Sequence, residues 1–171
     1  MLDYVIKNVT KYINRKNFKK FFDWFIYKFD LNDKSEQFEK NRKNNLHPIR
    51  PRKDEIYLIE FGQNIGKELS NTHMGIIMQD SYKNSVSSTV VVIPISSSNR
   101  LCDTHEKILE TDLEEGKLNK LPSKAKAEQI SCIDKSRLIY KIGKMTPEFM
   151  DRLVRPDIRL TQNAETKGWN M

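Results

Sequence analysis

Cysteine, glycine and long apolar stretches are scarce in this chain of 171 residues, which has two cysteines, six glycines and six prolines. Two cysteines, Cys102 and Cys132, are too few for a secreted disulfide scaffold, so we expect a reducing cytosol. No apolar run approaches the roughly 20 residues that a membrane-spanning helix needs. The composition also excludes collagen-like and low-complexity chains.

Patterns for metals and nucleotide cofactors are equally scarce. The three histidines, His47, His73 and His105, are far apart, and neither cysteine has a second cysteine at zinc-site spacing. The glycine-containing stretch that begins at Gly62 lacks the Lys-Ser/Thr pair of a phosphate-binding loop. We therefore predict neither a metal nor a cofactor.

Positive charge and aromatic rings are concentrated at the start of the chain. The formal net charge is +7, and residues 1–53 carry 14 Lys/Arg against 6 Asp/Glu, whereas residues 54–171 are nearly balanced. Nine of the sixteen aromatic residues precede residue 30. This break in composition predicts two modules and a tail, with boundaries at 1–50, 51–156 and 157–171.

The first module has helical periodicity. Apolar residues recur at helical spacing and lysines fill much of the remaining surface. This pattern predicts either one amphipathic basic helix or two helices with a break near residues 14–17. For residues 33–45 we expect at most a short, frayed helix. The basic aromatic surface has three interpretations: packing against the main domain or a second copy, contact with RNA, or association with a membrane surface.

From Asp54 onward, short apolar runs alternate with turns. We predict strands over 55–61, 75–78, 89–93, 105–109, 128–133 and 139–143. Residues 80–88 are expected to form a polar turn, and 111–124 a charged loop around Gly116. A helix is predicted to begin at Thr146-Pro147-Glu148 and end near Arg155. The fold class is therefore mainly β with α: a small antiparallel barrel with an N-terminal helical extension.

Ordered motifs in the second module resemble a known family. They are Asp54–Phe61 followed by Gly66–Glu68, then Ile76–Gln79, Ile95–Ser97, Thr104-His105, Gln129–Leu138 and Lys141–Met145. In this order and spacing they resemble the MazF/PemK toxins over roughly residues 52–155. The resemblance implies an SH3-like, MazF/PemK/CcdB-like barrel that forms a homodimer, cleaves single-stranded RNA without a metal and is inhibited by a cognate antitoxin.

The resemblance also implies the residues of the site. The implied reaction, attack of a ribose 2′-hydroxyl on the adjacent phosphate, needs proton transfer and stabilisation of charge on the phosphate. The family's site Arg falls on His73 and its site Thr or Ser on Ser96, so these two are the catalytic candidates. Imidazole can donate or accept a proton, which the fixed arginine cation cannot. Substrate contacts are predicted for Lys67, Gln79, Ser97 and Arg100.

A second hypothesis from the sequence is a protein without nuclease activity. The same fold could act as a protein-binding inhibitor, like the gyrase-poisoning relatives, or as a degenerate regulatory module. Ser131 stands where the family has a further Arg, so a second positive charge is missing from the implied RNA surface. Polar groups at positions 73 and 96 favour the nuclease, because a gyrase poison does not require them.

Overall fold

A computed structural model describes residues 2–97, 102 and 104–154 of the chain. Twelve helices and strands of these residues are used below. In chain order they are α1 (Leu2–Tyr12), α2 (Phe18–Lys40), β1 (Glu55–Glu60), β2 (Thr72–Ile77), α3 (Ser81–Val86), β3 (Thr89–Ser96), β4 (His105–Ile108), β5 (Leu113–Gly116), β6 (Ser123–Lys126), β7 (Ser131–Asp134), β8 (Leu138–Met145) and α4 (Pro147–Val154).

The N-terminal extension is two helices, with the break close to where the sequence predicts it. The expected frayed segment over 33–45 is wrong, because α2 continues without interruption to Lys40. Its second half is held on the barrel: Leu31 is buried, Lys34 Nζ donates to the carbonyl of Ser136 at 2.8 Å, and Ser35 Oγ donates to Asp134 at 3.0 Å. Tertiary contacts thus stabilise a helix that is polar in sequence. Among the described residues, no helix is long and apolar enough to cross a membrane.

The strands form one curled antiparallel sheet. Its order is β4-β6-β3-β2-β1-β8-β5, and β7 also pairs with β3. Val92 pairs with Ile77 of β2 and with Ser131 of β7, so β2 and β7 lie on opposite edges of β3. Farther along the β7 edge, Ser96 pairs with Lys124 of β6. The predicted fold class, a small antiparallel β fold with an N-terminal helical extension, is confirmed.

Alternation along the strands gives the sheet two apolar faces. Ile76 and Ile93 face one core, which Phe149 and Leu153 of α4 complete. The intervening residues face a second core, whose buried members are Ile59, Phe61, Ile77, Val90, Val92, Ile133 and Leu138. Because side chains of a strand alternate between faces, each site residue can be assigned to one of these cores from its position.

Two predictions about the connections are wrong. The expected polar turn over 80–88 contains helix α3, which Asp80 caps by accepting hydrogen bonds from the backbone of Tyr82 and Lys83. The expected loop over 111–124 contains β5 and the first residues of β6. Gly116, with φ of +80°, lets β5 approach β8 closely, since a Cβ there would collide with the carbonyl of Ile142.

Candidate active site

The two predicted catalytic residues lie on neighbouring strands. His73 is the second residue of β2, where it pairs with Ile59 of β1, and Ser96 is the last residue of β3. Gly75 pairs with Pro94, and continuing this antiparallel register by two residues places His73 opposite Ser96. Residues opposite each other in an antiparallel sheet point to the same face. His73 and Ser96 therefore share the face of the second core, at the end of the sheet where β3 finishes.

A lysine extends this row to a third strand. Lys124 of β6 pairs directly with Ser96, which places their Cβ atoms about 4.5–5.5 Å apart on the same face. Only 3% of Lys124 is exposed, although it makes no hydrogen bond or ion pair with any residue in the described part of the chain. Because Nζ is not one of the fully buried polar atoms that lack a partner, the apolar stem of Lys124 is buried while its ammonium group stays accessible to an anion.

A cavity of about 480 Å³ lies over the same face. One wall is formed by Phe61 and the loop after β1, including Lys67 and Leu69, and the other by Gln129 and Ser131. Further lining comes from Asn64, Glu68 and Glu128. The first wall follows β1, and the second wall includes the start of β7. Strands β2 and β3 lie between β1 and β7 in the sheet, so they also lie between the two walls. The cavity thus lies on the side of the sheet to which His73 and Ser96 belong.

Gln129 gives the cavity an unsatisfied acceptor. Its side-chain carbonyl oxygen is buried and has no hydrogen-bond partner among the described residues. Beside it, Ser131 Oγ donates to the backbone carbonyl of Gln129 at 2.9 Å, which fixes the serine. Because this oxygen has no exposed surface, the Gln129 side chain must rotate before the oxygen can accept a hydrogen bond from the amino or imino group of a base. Gln129 is therefore an uncharged candidate contact at the cavity wall.

Glu128 is an anion at one end of the cavity. Burial alone would raise the pKa of its carboxyl group, but hydrogen bonds with His105 and Thr104 outweigh that effect and lower the pKa below its usual value. Glu128 is consequently ionised at neutral pH and a weak proton acceptor. His105, whose Nε2 lies 3.0 Å from Glu128, is occupied in this pair. A phosphate is better placed near Lys67 and Lys124, away from this carboxylate.

The remaining predicted site residues lie elsewhere. Gln79 follows the other end of β2, about 20 Å from His73 along the strand, where its backbone carbonyl accepts from Asn84. Ser97 is exposed and directly follows β3. Arg100 lies outside the described residues. The strand register thus places His73 and Ser96 on the same face of neighbouring strands, two residues beyond the last pair, Gly75 and Pro94. Lys67 lies on the cavity wall, and Gln79 lies beyond the far end of β2.

Side chains that could bind a metal ion are scattered in the described part of the chain. No group of three or more His, Cys, Asp or Glu side chains comes together within ranges 2–97, 102 and 104–154. The polar side chains that line the cavity are one ammonium group, two carboxylates, two amides and a hydroxyl, from Lys67, Glu68, Glu128, Asn64, Gln129 and Ser131. This set is suited to hydrogen bonding with a polar ligand.

The model of one protein family matches residues 52–156, the greater part of the chain. That family is described as the PemK-like, MazF-like toxins of type II toxin-antitoxin systems. The chain belongs to this family. Its toxin domain begins just before β1 and extends past α4, so the N-terminal helices lie outside the match.

Solved structures show the same fold around the toxin domain. An endoribonuclease from a mycobacterial species superposes with a TM-score of 0.50 at 17% identity, covering 63% of this chain and 88% of the other. For a mycobacterial endoribonuclease in complex with its cognate antitoxin, the TM-score is 0.50 and the sequence identity 18%, with 62% of this chain and 89% of the other covered. For MazF from Deinococcus radiodurans, the TM-score is 0.56 and the identity 11%, with 67% of this chain and 98% of the other covered. No curated protein matches the chain significantly.

Sequence reasoning missed two residues of this toxin's candidate site. Lys124 is one of thirty Lys/Arg residues and lies in a segment predicted to be a loop, so nothing in its neighbourhood marks it. Only its pairing with Ser96 and its burial distinguish it. Gln129 belongs to a motif that carries the resemblance, but its unpaired oxygen is visible only in three dimensions.

Proposed function

We propose that this toxin is an endoribonuclease that cleaves single-stranded RNA by attack of a ribose 2′-hydroxyl on the adjacent phosphate. The proposal rests on two observations: the strand register puts His73, Ser96 and Lys124 on one face of three adjacent strands, and a polar cavity that none of the three lines lies on the same side of the sheet. Two related folds are named as endoribonucleases, which supports the same activity here. Homodimer formation, binding of a cognate antitoxin and a cytoplasmic location are parts of the same proposal.

The row supplies groups that the reaction needs. His73 transfers a proton, either from the attacking 2′-hydroxyl or to the departing 5′ oxygen. Ser96 donates a hydrogen bond to a phosphate oxygen, and Lys124 stabilises the negative charge that grows there in the transition state. Lys124 thereby replaces the positive charge that is lost where His73 stands in place of arginine. Lys67, on the loop above, is a further phosphate contact.

The base beside the scissile phosphate occupies the cavity. Phe61 and Leu69 give it an apolar wall, and the oxygen of Gln129 accepts from a base edge. The ionised Glu128 repels phosphate, so the RNA backbone runs on the side of Lys67 and Lys124. This arrangement predicts a preference for a base that carries a donor facing Gln129.

The test is cleavage of a labelled single-stranded oligonucleotide by purified toxin in the presence of EDTA. We expect products that end in a cyclic phosphate and begin with a free 5′-hydroxyl. His73→Ala should slow cleavage at least about tenfold, as loss of a proton-transfer group does. Lys124→Met should lower kcat by a similar factor, while Lys83→Met, which removes an exposed lysine of α3, should leave kcat unchanged.

Each outcome has a distinct meaning. Full activity of His73→Ala would remove His73 from the mechanism, and full activity of Lys124→Met would remove the lysine. Melting temperatures close to that of the wild type are the control for folding of both variants. Absence of RNA cleavage by the wild type would contradict the proposal and favour the hypothesis of a protein-binding inhibitor.

A further inference from the structure

The outer side of helix α2 is an unpartnered apolar surface. Phe18, Phe22, Phe25 and Phe29 follow one another at spacings of four, three and four residues, so they fall within about 60° of the helix circumference. Phe25 and Phe29 are 54% and 58% exposed. We define these four residues as the phenylalanine stripe. Three neighbouring exposed rings, Phe22, Phe25 and Phe29, with the half-buried Phe18 beside them, are unusual on a stable protein surface and indicate a binding function.

The stripe cannot turn inward, because the opposite side of α2 already packs on the barrel. Trp24 and Leu31, which are buried, lie about 140° around the helix from the centre of the stripe. Farther along, Arg42 donates to the carbonyl of Val86 at 2.7 Å and to Ser88 Oγ at 2.8 Å. The toxin domain thus holds α2 in a fixed orientation and displays the stripe outward.

Cations border the apolar surface on both sides. Lys19 and Lys28 each lie about 90° from the centre of the stripe, on opposite shoulders of the helix, and Asp23 and Asp30 lie farther round on the side of Lys19. Where α1 meets α2, a groove of about 540 Å³ is lined by the rings of Tyr12, Phe18 and Phe21 and by Arg15 and Lys16, with Asn17 between them. No lining residue of this groove is acidic. The aromatic rings and the cations of the groove together suit a ligand that has an apolar part and an anionic group.

We propose that α1 and the first half of α2 dock the toxin onto the surface of an anionic phospholipid bilayer. A basic helix with Phe on one face lies in the plane of a membrane interface, with the rings among the acyl chains and the lysines at the phosphates. This function is separate from cleavage of RNA and uses none of the residues assigned to it.

Two other occupants fit the surface less well. In a second copy of the chain, the lysines on both shoulders would approach those of the partner, and residues 2–30 carry seven Lys/Arg against three aspartates. RNA binding would need ring faces that are open to bases. Here the rings contact each other: Phe18 stacks on Phe22 at 5.8 Å, and Phe25 meets Phe29 edge to face at 5.4 Å.

The experiment is flotation of the full-length toxin with two kinds of vesicle, one of phosphatidylcholine alone and one that also contains phosphatidylglycerol. We expect binding to the anionic vesicles and little to the neutral ones. The double variant Phe25→Ser/Lys19→Glu should weaken binding at least about tenfold, because it removes one ring that enters the bilayer and reverses one charge that faces the lipid phosphates. The matched control Tyr82→Ser/Lys83→Glu, which alters an exposed ring and lysine on α3, should bind like the wild type.

Several results would overturn the proposal. They are absence of binding to anionic vesicles, equal binding to both kinds of vesicle, and an unaffected Phe25→Ser/Lys19→Glu variant. Self-association of the wild type that this variant abolishes in light scattering would assign the stripe to a second copy. A loss of RNA affinity in the same variant would assign it to RNA. Cleavage of RNA serves as the folding control, since neither variant alters the candidate active site.

Discussion

Lys135 is fully buried and carries a charge that its surroundings do not neutralise. Its ammonium group donates to the backbone carbonyls of Asn84 and Ser87, in the connection between α3 and β3. Burial, assisted by the positive charge of Arg42, lowers the pKa of Lys135 from 10.5 to about 8. The folded state therefore releases this proton at a lower pH than the unfolded state does.

The lowered pKa of Lys135 makes the free energy of unfolding increase with pH. Between pH 8 and 10.5 the unfolded chain holds the proton of Lys135 and the folded chain does not, so stability rises with pH in this window. We expect the free energy of unfolding of the wild type to rise by about 3 kcal/mol relative to Lys135→Met between pH 7.5 and 10.5. Urea unfolding of both proteins at the two pH values measures the difference.

Lys83→Met, which removes an exposed lysine of α3, is the matched control for Lys135→Met. Relative to this control the wild type should show little change over the same pH range. A difference between wild type and Lys135→Met that is independent of pH would contradict the lowered pKa. It would mean that the lysine keeps its proton in the folded state and that the two carbonyls fully compensate for burial.

Helix α2 also supports the loop that forms one wall of the cavity. The ring of Trp24 packs against Gly62, where the loop begins, and the guanidinium of Arg137 lies 5.2 Å from the centre of that ring. Arg137 in turn donates to the carbonyl of Phe61 at 3.0 Å. The N-terminal extension is thereby connected to the wall that contains Phe61 and Lys67.

Two glycines of this loop give a matched test of the contact. Both have positive φ, +83° at Gly62 and +65° at Gly66, so alanine is strained at either. A Cβ at Gly62 would collide with the Trp24 ring, whereas a Cβ at Gly66 would meet nothing within 4 Å. We expect Gly66→Ala to destabilise the fold by about 1 kcal/mol, and Gly62→Ala by a further 1–3 kcal/mol or so because of overpacking.

Thermal unfolding, and the fluorescence of Trp24 in a Trp169→Phe background that removes the second tryptophan, check this expectation. Only Gly62→Ala should displace the indole and shift its emission to longer wavelength. The same variant should raise KM for RNA more than Gly66→Ala does, because the cavity wall moves with the loop. Equal effects of the two substitutions would show that backbone strain, and not the ring contact, dominates at Gly62.

The elements also show what sequence patterns can predict. All of the first five residues of strand β3 are β-branched, and α4 begins with Pro147 and Glu148 directly after Thr146, so both elements follow from local preference. Strands β5 and β6 are four-residue segments, LEEG and SKAK, whose identity comes from their partners β8 and β4. Helix α3 lacks apolar periodicity and depends on the cap by Asp80.

Some residues of the candidate site can also be recognised in the sequence, whereas others become apparent only in the structure. Positions 73 and 96 could be selected in sequence because the motifs around them resemble a family with site residues there. Lys124 and Gln129 could not be selected, because burial and an unpaired oxygen arise only when β6, β3 and the loop after β1 are assembled. Gln79 is predicted to contact substrate because it stands at the end of an apolar run. The run does not reveal which end of the strand lies near the site, and in the structure Gln79 follows the opposite end of β2 from His73.

At the scale of the whole molecule, the chain has two separate surfaces at which lysines could bind an anionic ligand. One is the candidate active site, with Lys67 and Lys124, in a domain whose net charge is close to zero. The other is the extension, where Lys19 and Lys28 border the phenylalanine stripe. If the first surface binds RNA and the second binds lipid, the salt dependence of RNA binding should depend on the first alone.

This separation can be measured from the slope of log affinity against log salt concentration. Each phosphate contact to a single strand contributes about 0.7 to the magnitude of that slope. For Lys67→Ala/Lys124→Met we expect a slope smaller by about 1.4, whereas Phe25→Ser/Lys19→Glu should keep the slope of the wild type. Fluorescence anisotropy with a short labelled RNA measures both, and the catalytically impaired His73→Ala background prevents cleavage during the titration. A reduced slope for Phe25→Ser/Lys19→Glu would mean that the extension contacts phosphates of the RNA, and the two surfaces would then serve the same ligand.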